Sequence, residues 1–141
     1  MARYSSQEKF ANFWENMRFL GIDYGKKRIG LALSDEGGKI AMPYGIAGSL
    51  NKIISLAKKE KVGKIVIGLP IGFSGRESAQ ALKTRKFAEL LKKKVKLPIE
   101  FENEVLTTKI ASQFSSKKRV DASAAAIILQ SYLDKRSVIS N

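Results

Sequence analysis

The chain has 141 residues, 44% of them hydrophobic and 28% charged, which fits one globular domain able to bury its own core. It contains neither cysteine nor histidine, so disulfides, thiolate or imidazole metal sites, cysteine nucleophiles and His-based triads are excluded. Lysine and arginine number 26 against 13 acids, a net charge of +13, which points to a polyanionic partner, nucleic acid first.

Any catalysis must therefore run on Asp, Glu, Lys, Arg, Ser, Thr or Tyr. The metal ligands that remain are hard oxygens, which suit Mg²⁺, Mn²⁺ or Ca²⁺. No apolar run approaches the roughly 20 residues of a membrane span. The N-terminus lacks the apolar stretch of a secretory signal. The expected address is the cytoplasm, with no membrane partner.

Residues 1–16 are polar, with Phe10, Phe13 and Trp14 at roughly helical spacing. They hold two bases (Arg3, Lys9) and two acids (Glu8, Glu15), so the excess charge belongs to the rest. This leader is expected to be flexible, ahead of a natural start at Met17, or else a short helix packed on the domain. The domain itself is expected over 17–136, with a loose tail at 137–141.

From Arg18 the pattern sharpens. RFLGID is an apolar run ending in an acid, a buried strand, and Tyr24-Gly25-Lys26-Lys27 is a turn. RIGLALSD alternates and is predicted as a second strand hairpinned to the first. A turn at Asp35–Gly38 leads to a third strand, KIAMPYGI, whose Pro43 suits an edge. Ser49 is a plausible N-cap for a helix to about Lys61, with Leu50, Ile53, Ile54 and Ala57 on one face. KIVIGLP is continuously apolar, as in a central parallel strand. A glycine-rich loop then leads to a long helix, Glu77 to Lys94, with Ala81, Leu82, Phe87, Leu90 and Leu91 inward. LPIEFENE is a fifth strand, and Thr107 or Thr108 opens a helix to about Phe114. After a basic loop, SSKKR, Asp121 is expected to cap a final helix with Ala124, Ala125, Ile128, Leu129 and Leu133 apolar.

The predicted order is β-β-β-α-β-α-β-α-α. Three meandering strands followed by αβ crossovers make a mixed five-stranded α/β sheet with helices on both faces, the RNase H-like order. A Rossmann or flavodoxin-like sheet needs a helix where this chain has a hairpin.

Three acids stand out on that order. Asp23 ends the first strand, Glu104 follows the fifth, and Asp121 starts the last helix. With the first strand central, the fifth expected as its neighbour and the final helix crossing beside them, all three are expected to converge at one edge of the sheet. Clustered carboxylates repel unless a cation joins them. Two Mg²⁺ ions about 3.5–4 Å apart can hold the attacking and leaving oxygens of a displacement at phosphorus, with water as nucleophile. No histidine is needed. Read singly, each acid has a plainer role: Asp23 as turn chemistry, Glu104 as a solvated residue like Glu102, and Asp121 as a cap worth about 1 kcal/mol.

The remaining signals concern phosphate. Gly25 and Gly30 flank Lys26, Lys27 and Arg28, and Gly68–Arg76 resembles an anion cradle before a helix, without the ending of a P-loop. Basic residues cluster at Lys83, Arg85, Lys86, Lys92, Lys93, Lys94 and Lys96. They cluster again at Lys109, Lys117, Lys118 and Arg119, ahead of Asp121. Lys26, Lys27, Arg28, Arg76, Lys109, Lys117, Lys118 and Arg119 are the candidate phosphate contacts, which supply affinity and salt dependence rather than sequence reading.

FLGIDYGKKRIGLALSD, IVIGLPIGFSG, LTTKIA and VDASAAAIILQSYL, spread over about residues 18–134, resemble the YqgF/RuvX family of bacterial Holliday-junction-resolvase-like proteins. The resemblance implies an RNase H-like fold and a nuclease acting in pre-16S ribosomal RNA maturation or on Holliday junctions. It carries the family's acids over to Asp23, Glu104 and Asp121, as catalytic residues and ligands of Mg²⁺ or Mn²⁺. One departure stands out. Where the family reads D-E-R-L-T-T, this chain has Asn103-Glu104-Val105-Leu106-Thr107-Thr108, so an acid and an arginine are missing. That change motivates a competing reading, a catalytically impaired nucleic-acid-binding module. A third reading, a fragment of an actin-like or sugar-kinase phosphotransferase, needs a second domain that 141 residues do not provide. Both a monomer and a homodimer are compatible with the sequence.

Overall fold

The computed structural model describes residues 17–71, 78–104 and 117–140, with the side chains of 117–123 and 137–140 outside that description. The leader, Arg76, Lys109, Val105 and the expected helix at 107–114 lie outside the described residues. The described elements run β1 (Arg18–Tyr24), β2 (Ile29–Ser34), β3 (Ala41–Ala47), α1 (Leu50–Lys59), β4 (Val62–Leu69), α2 (Ala79–Val95), β5 (Ile99–Asn103) and α3 (Lys117–Ser140).

The five strands form one sheet in the order β3-β2-β1-β4-β5. β1 is the axis. It pairs antiparallel with β2, Ile22 opposite Leu31, and parallel with β4, Ile22 opposite Ile67. β4 in turn pairs parallel with β5, Gly68 opposite Glu102. Pro43 sits on the edge strand β3, where a missing N–H costs least.

Strand alternation divides the core in two. Leu20 and Ile22 of β1, with Ile65 and Ile67 of β4, pack against Ile53 and Leu56 of α1 and Phe87 and Leu91 of α2. On the other face Phe19 and Val66 pack against Ala125, Ile128, Leu129 and Leu133 of α3. The apolar stripe expected for the last helix is therefore its buried face. In α2 the outcome differs. Ala81, Thr84, Phe87, Ala88 and Leu91 are buried, whereas Leu82 and Leu90 are 54% and 55% exposed. The small residues at 84 and 88 let α2 sit close to the sheet, which turns the leucines outward.

The caps follow side-chain chemistry. The Ser49 hydroxyl accepts from the Lys52 N–H, and the Ser78 hydroxyl accepts from the Ala81 N–H at 3.2 Å. The final helix departs from expectation at both ends. It begins at Lys117, so Asp121 lies inside it and does not cap it, and it continues to Ser140, past the expected start of a loose tail. Lysine and arginine are good helix formers, so Lys117, Lys118 and Arg119 join the first turn instead of a loop.

Helix α3 is fastened to the sheet along its length. A Cβ at Gly21 would lie 2.7 Å from the Leu129 Cβ and 2.9 Å from the Ala125 carbonyl, so the helix rests directly on bare β1 backbone. The Gln130 side chain accepts from the Ala41 N–H and donates to the Lys39 carbonyl, tying α3 to β3. The Tyr132 hydroxyl donates to Glu100 and accepts from the Lys64 ammonium, and Lys135 pairs with Glu102. Glu102, expected to be solvated, is thus only 6% exposed on β5. Gly21→Ala is expected to destabilise the fold by about 1–3 kcal/mol, because neither contacting atom is the end of a flexible side chain. A urea titration should show a lower midpoint with an unchanged slope.

Candidate active site

Asp23 follows Phe19 and Gly21 at two-residue spacing, so it shares their face of β1, the face covered by α3. Glu104 follows β5 directly. Its N–H donates to the Leu69 carbonyl at 3.3 Å, which anchors it beside the end of β4. Extending the β1–β4 register by one residue puts Asp23 opposite Gly68. Gly68 is the spacer between the two acids: a Cβ there would lie 3.0 Å from Glu104 Oε2 and 2.4 Å from the Ile128 Cδ1. The two carboxyl groups therefore meet over a residue with no side chain.

Their meeting has a measurable consequence. Burial first, then the Asp23 charge and a hydrogen bond with it, pushes the Glu104 carboxyl up to about 8. No donor is placed on Glu104 Oε2, which is buried and unpartnered. The pair therefore holds one carboxyl oxygen that is buried and unpartnered. A hard divalent cation fits both the donor set and the charge. Among the described residues no third acid joins the pair.

Asp121 is placed by backbone alone. α3 runs antiparallel to β1, since Ala125 and Leu129 meet Gly21 while Tyr132 meets Phe19 at 6.0 Å between ring centroids. The turn before Ala125, which holds Asp121, therefore lies towards the Asp23 end of β1.

Of the candidate phosphate contacts, the β1–β2 turn carries three. The Gly25 N–H donates to the Arg28 carbonyl at 2.9 Å, and a Cβ at Gly25 would lie 2.8 Å from that oxygen, so the turn closes only with glycine. Lys26 and Lys27 are exposed on it, next to Asp23. Arg28 is half-buried, and its Nη1 has no hydrogen-bond partner. Lys117, Lys118 and Arg119 lie in the first turn of α3, with side chains outside the description. Of the proposed anion cradle, Gly68 and Leu69 belong to β4 itself, and 72–77 lie outside the described residues.

The roles of two residues went unread in the sequence. Gly68 was read as part of the apolar strand and of an anion cradle, without the close approach that a glycine inside a strand signals. Gln80 donates from Nε2 to the Tyr24 carbonyl at 2.8 Å and so ties the first turn of α2 to the residue after Asp23. Asn103 adds a clarification. It precedes Glu104 on β5 and alternation turns it to the opposite face, so the acid missing at 103 falls on the α2 side of the sheet.

A mixed sheet in this order, with paired carboxyls at the ends of β1 and β5, defines a protein of the RNase H-like class. The fold likeness agrees. The chain matches the RuvC structure of Thermus thermophilus with a TM-score of 0.55 at 12% identity, covering 86% of this chain and 97% of that one. It matches Thermus thermophilus RuvC in complex with a Holliday junction substrate at a TM-score of 0.59, 12% identity, 86% and 96%. A family model, RuvX, described as Holliday junction resolvase, matches residues 17–135. The chain belongs to that nuclease family. A Rickettsia felis relative is 39% identical over 143 residues, covering 91% of this chain and 93% of its own length. One from Syntrophomonas wolfei is 37% identical over 137 residues, 86% and 97%. Both carry the name "Putative pre-16S rRNA nuclease".

The raised Glu104 predicts a pH dependence for the metal-free protein. Its carboxyl sits near 8 when folded and near the ordinary 4.5 when unfolded. Between those values the folded state holds a proton that the unfolded state has released. Stability is therefore full below the lower value and falls as pH rises towards 8. Glu104→Gln cannot ionise. E104Q is expected to exceed the parent by at least about 1 kcal/mol at pH 8 in chelator, the gap closing towards pH 5, read from urea midpoints.

Proposed function

We propose that this chain is a Mg²⁺- or Mn²⁺-dependent nuclease that hydrolyses a phosphodiester of structured RNA, in 5′-end processing of pre-16S ribosomal RNA. The observation that carries the reading is the Asp23–Glu104 pair with its unpartnered Oε2 over Gly68. Asp23 and Glu104 are the ligands, with Asp121 completing the set from α3. When bound, the cation supplies charge neutralisation and Lewis acidity at phosphorus.

The chain's own groups do the rest. Lys26 and Lys27 hold the phosphates flanking the scissile bond from the turn beside Asp23. The Arg28 Nη1, left without a partner, donates to a phosphate oxygen. Arg76, Lys109, Lys117, Lys118 and Arg119 extend that contact along the backbone of the substrate. The +13 charge makes binding steeply salt-dependent. The names of the relatives support ribosomal RNA as substrate, and with it a cytoplasmic address. The family's description supports a four-way DNA junction as the competing substrate.

The test is cleavage of end-labelled pre-16S fragments and four-way junctions with Mg²⁺, Mn²⁺ or chelator. The parent is expected to cut with metal only, and Asp23→Asn to lose at least about a hundredfold in rate while still binding. Equal cutting by D23N would remove the carboxyl pair from the chemistry. Salt-sensitive binding without product under any metal would assign the chain to the binding-module reading.

A further inference from the structure

The face of the sheet away from the acids carries a feature the nuclease reading does not use. Between α2 and β5 runs a groove of ≈ 220 Å³ lined by Arg85, Ala88, Glu89, Lys92, Ile99 and Phe101. Phe101 is 37% exposed, although it is a large aromatic on a strand. The Arg85 guanidinium lies over its ring at 5.1 Å. The exposed Leu82 continues the line one turn back, since 82, 85, 89 and 92 share one helix face. Lys92 lines it, and Lys86 and Lys93 lie beside it on the exposed side of α2, against the one acid Glu89 in the groove.

An apolar floor, an aromatic ring with a cation above it and lysines along one side match one ligand chemistry. Unpaired nucleobases stack on aromatic and guanidinium planes while ammonium groups follow the phosphates. Duplex offers no free base faces for such a surface. We propose that the α2–β5 groove is a second nucleic-acid surface, which stacks an unpaired base of a single-stranded segment on the plane that Phe101 and Arg85 form together. Glu89 then faces the base edge as an acceptor for an amino group. The proposal rests on the nuclease reading for the class of polymer.

The groove also points at the acids. The first turn of α2 is tied by Gln80 to Tyr24, beside Asp23. Phe101 precedes Glu104 by three residues, roughly 10 Å along the strand and on the other face. Among the described residues β5 is an edge strand, so a single strand can cross it from the groove to the acid pair. A single-stranded flank held in the groove would set which bond reaches Glu104.

The experiment titrates the full chain, in chelator, into a short single-stranded oligonucleotide containing 2-aminopurine, whose fluorescence falls when it stacks. Parent and Asp23→Asn are expected to quench it equally. Phe101→Leu keeps an apolar side chain without a ring and is expected to lose the quench and about tenfold in affinity. Phe101→Trp should restore both. F101L should still cut a substrate without single-stranded flanks at the parental rate. Parental quenching by F101L, or no binding by the parent, overturns the proposal. Ring-dependent quenching by a chain that cuts nothing would sustain the groove and sink the nuclease reading, so the two failures are separate.

Discussion

Helix α3 lies against the sheet because two neighbouring strands offer it no side chain where it crosses. At Gly21 the helix backbone comes within van der Waals reach of β1, and at Gly68 the Ile128 side chain settles onto β4. The rest of the molecule is arranged around that crossing. The contact sets the height of the helix, and polar ties to β3, β4 and β5 set its rotation. Lys64, Tyr132 and Glu100 form one such tie. Burial and the hydrogen bond to Glu100 hold the Tyr132 hydroxyl above its ordinary range, and its neighbours keep the Lys64 ammonium charged despite burial. Removing one partner would strand the other in a poorly hydrated place.

The same bare strip of strand admits the acids. A side chain at 68 would occupy the space that the Glu104 carboxyl takes. Glu104 is held near Asp23 by backbone alone, through β5 pairing and the Leu69 carbonyl. Two like groups are thus kept together by the pairing of the sheet, and their burial, with the charge of Asp23 beside Glu104, appears as a retained proton. Such an arrangement has little structural purpose, because apolar residues would fill the space at lower cost. It is what a site awaiting positive charge looks like.

Much of this was legible in the chain. The hairpin after Asp23, the continuous apolar run of β4 and the alanine-rich stripe of α3 each follow from period and turn chemistry, but the fifth strand, expected beside the first, pairs with β4 instead. The acids were legible as strand-end residues. What was hidden depended on distance between segments. The outward turn of Leu82 and Leu90 depends on how closely Thr84 and Ala88 let α2 approach. The burial of Glu102 depends on a lysine 33 residues away. The start of α3 was misplaced because Asp121 has the chemistry of a cap, while the basic residues before it favour helix equally well. Periodicity cannot decide between two locally consistent choices. The departure at Asn103 looked threatening in one dimension and falls on the other face in three.

One acid of the pair sits in the centre of the sheet and the other at its margin. β1 is hydrogen-bonded on both sides, whereas among the described residues β5 pairs with β4 on one side. Asp23 therefore belongs to a strand whose amides are paired on both sides, the kind that exchanges slowly. Glu104 belongs to a part that can breathe, since a margin strand exchanges its amide hydrogens through local fraying. The two halves of the site live on different clocks. Anything that clasps both carboxyls would splice the slow part to the fast one, and the amides of β5 would inherit the protection of the centre.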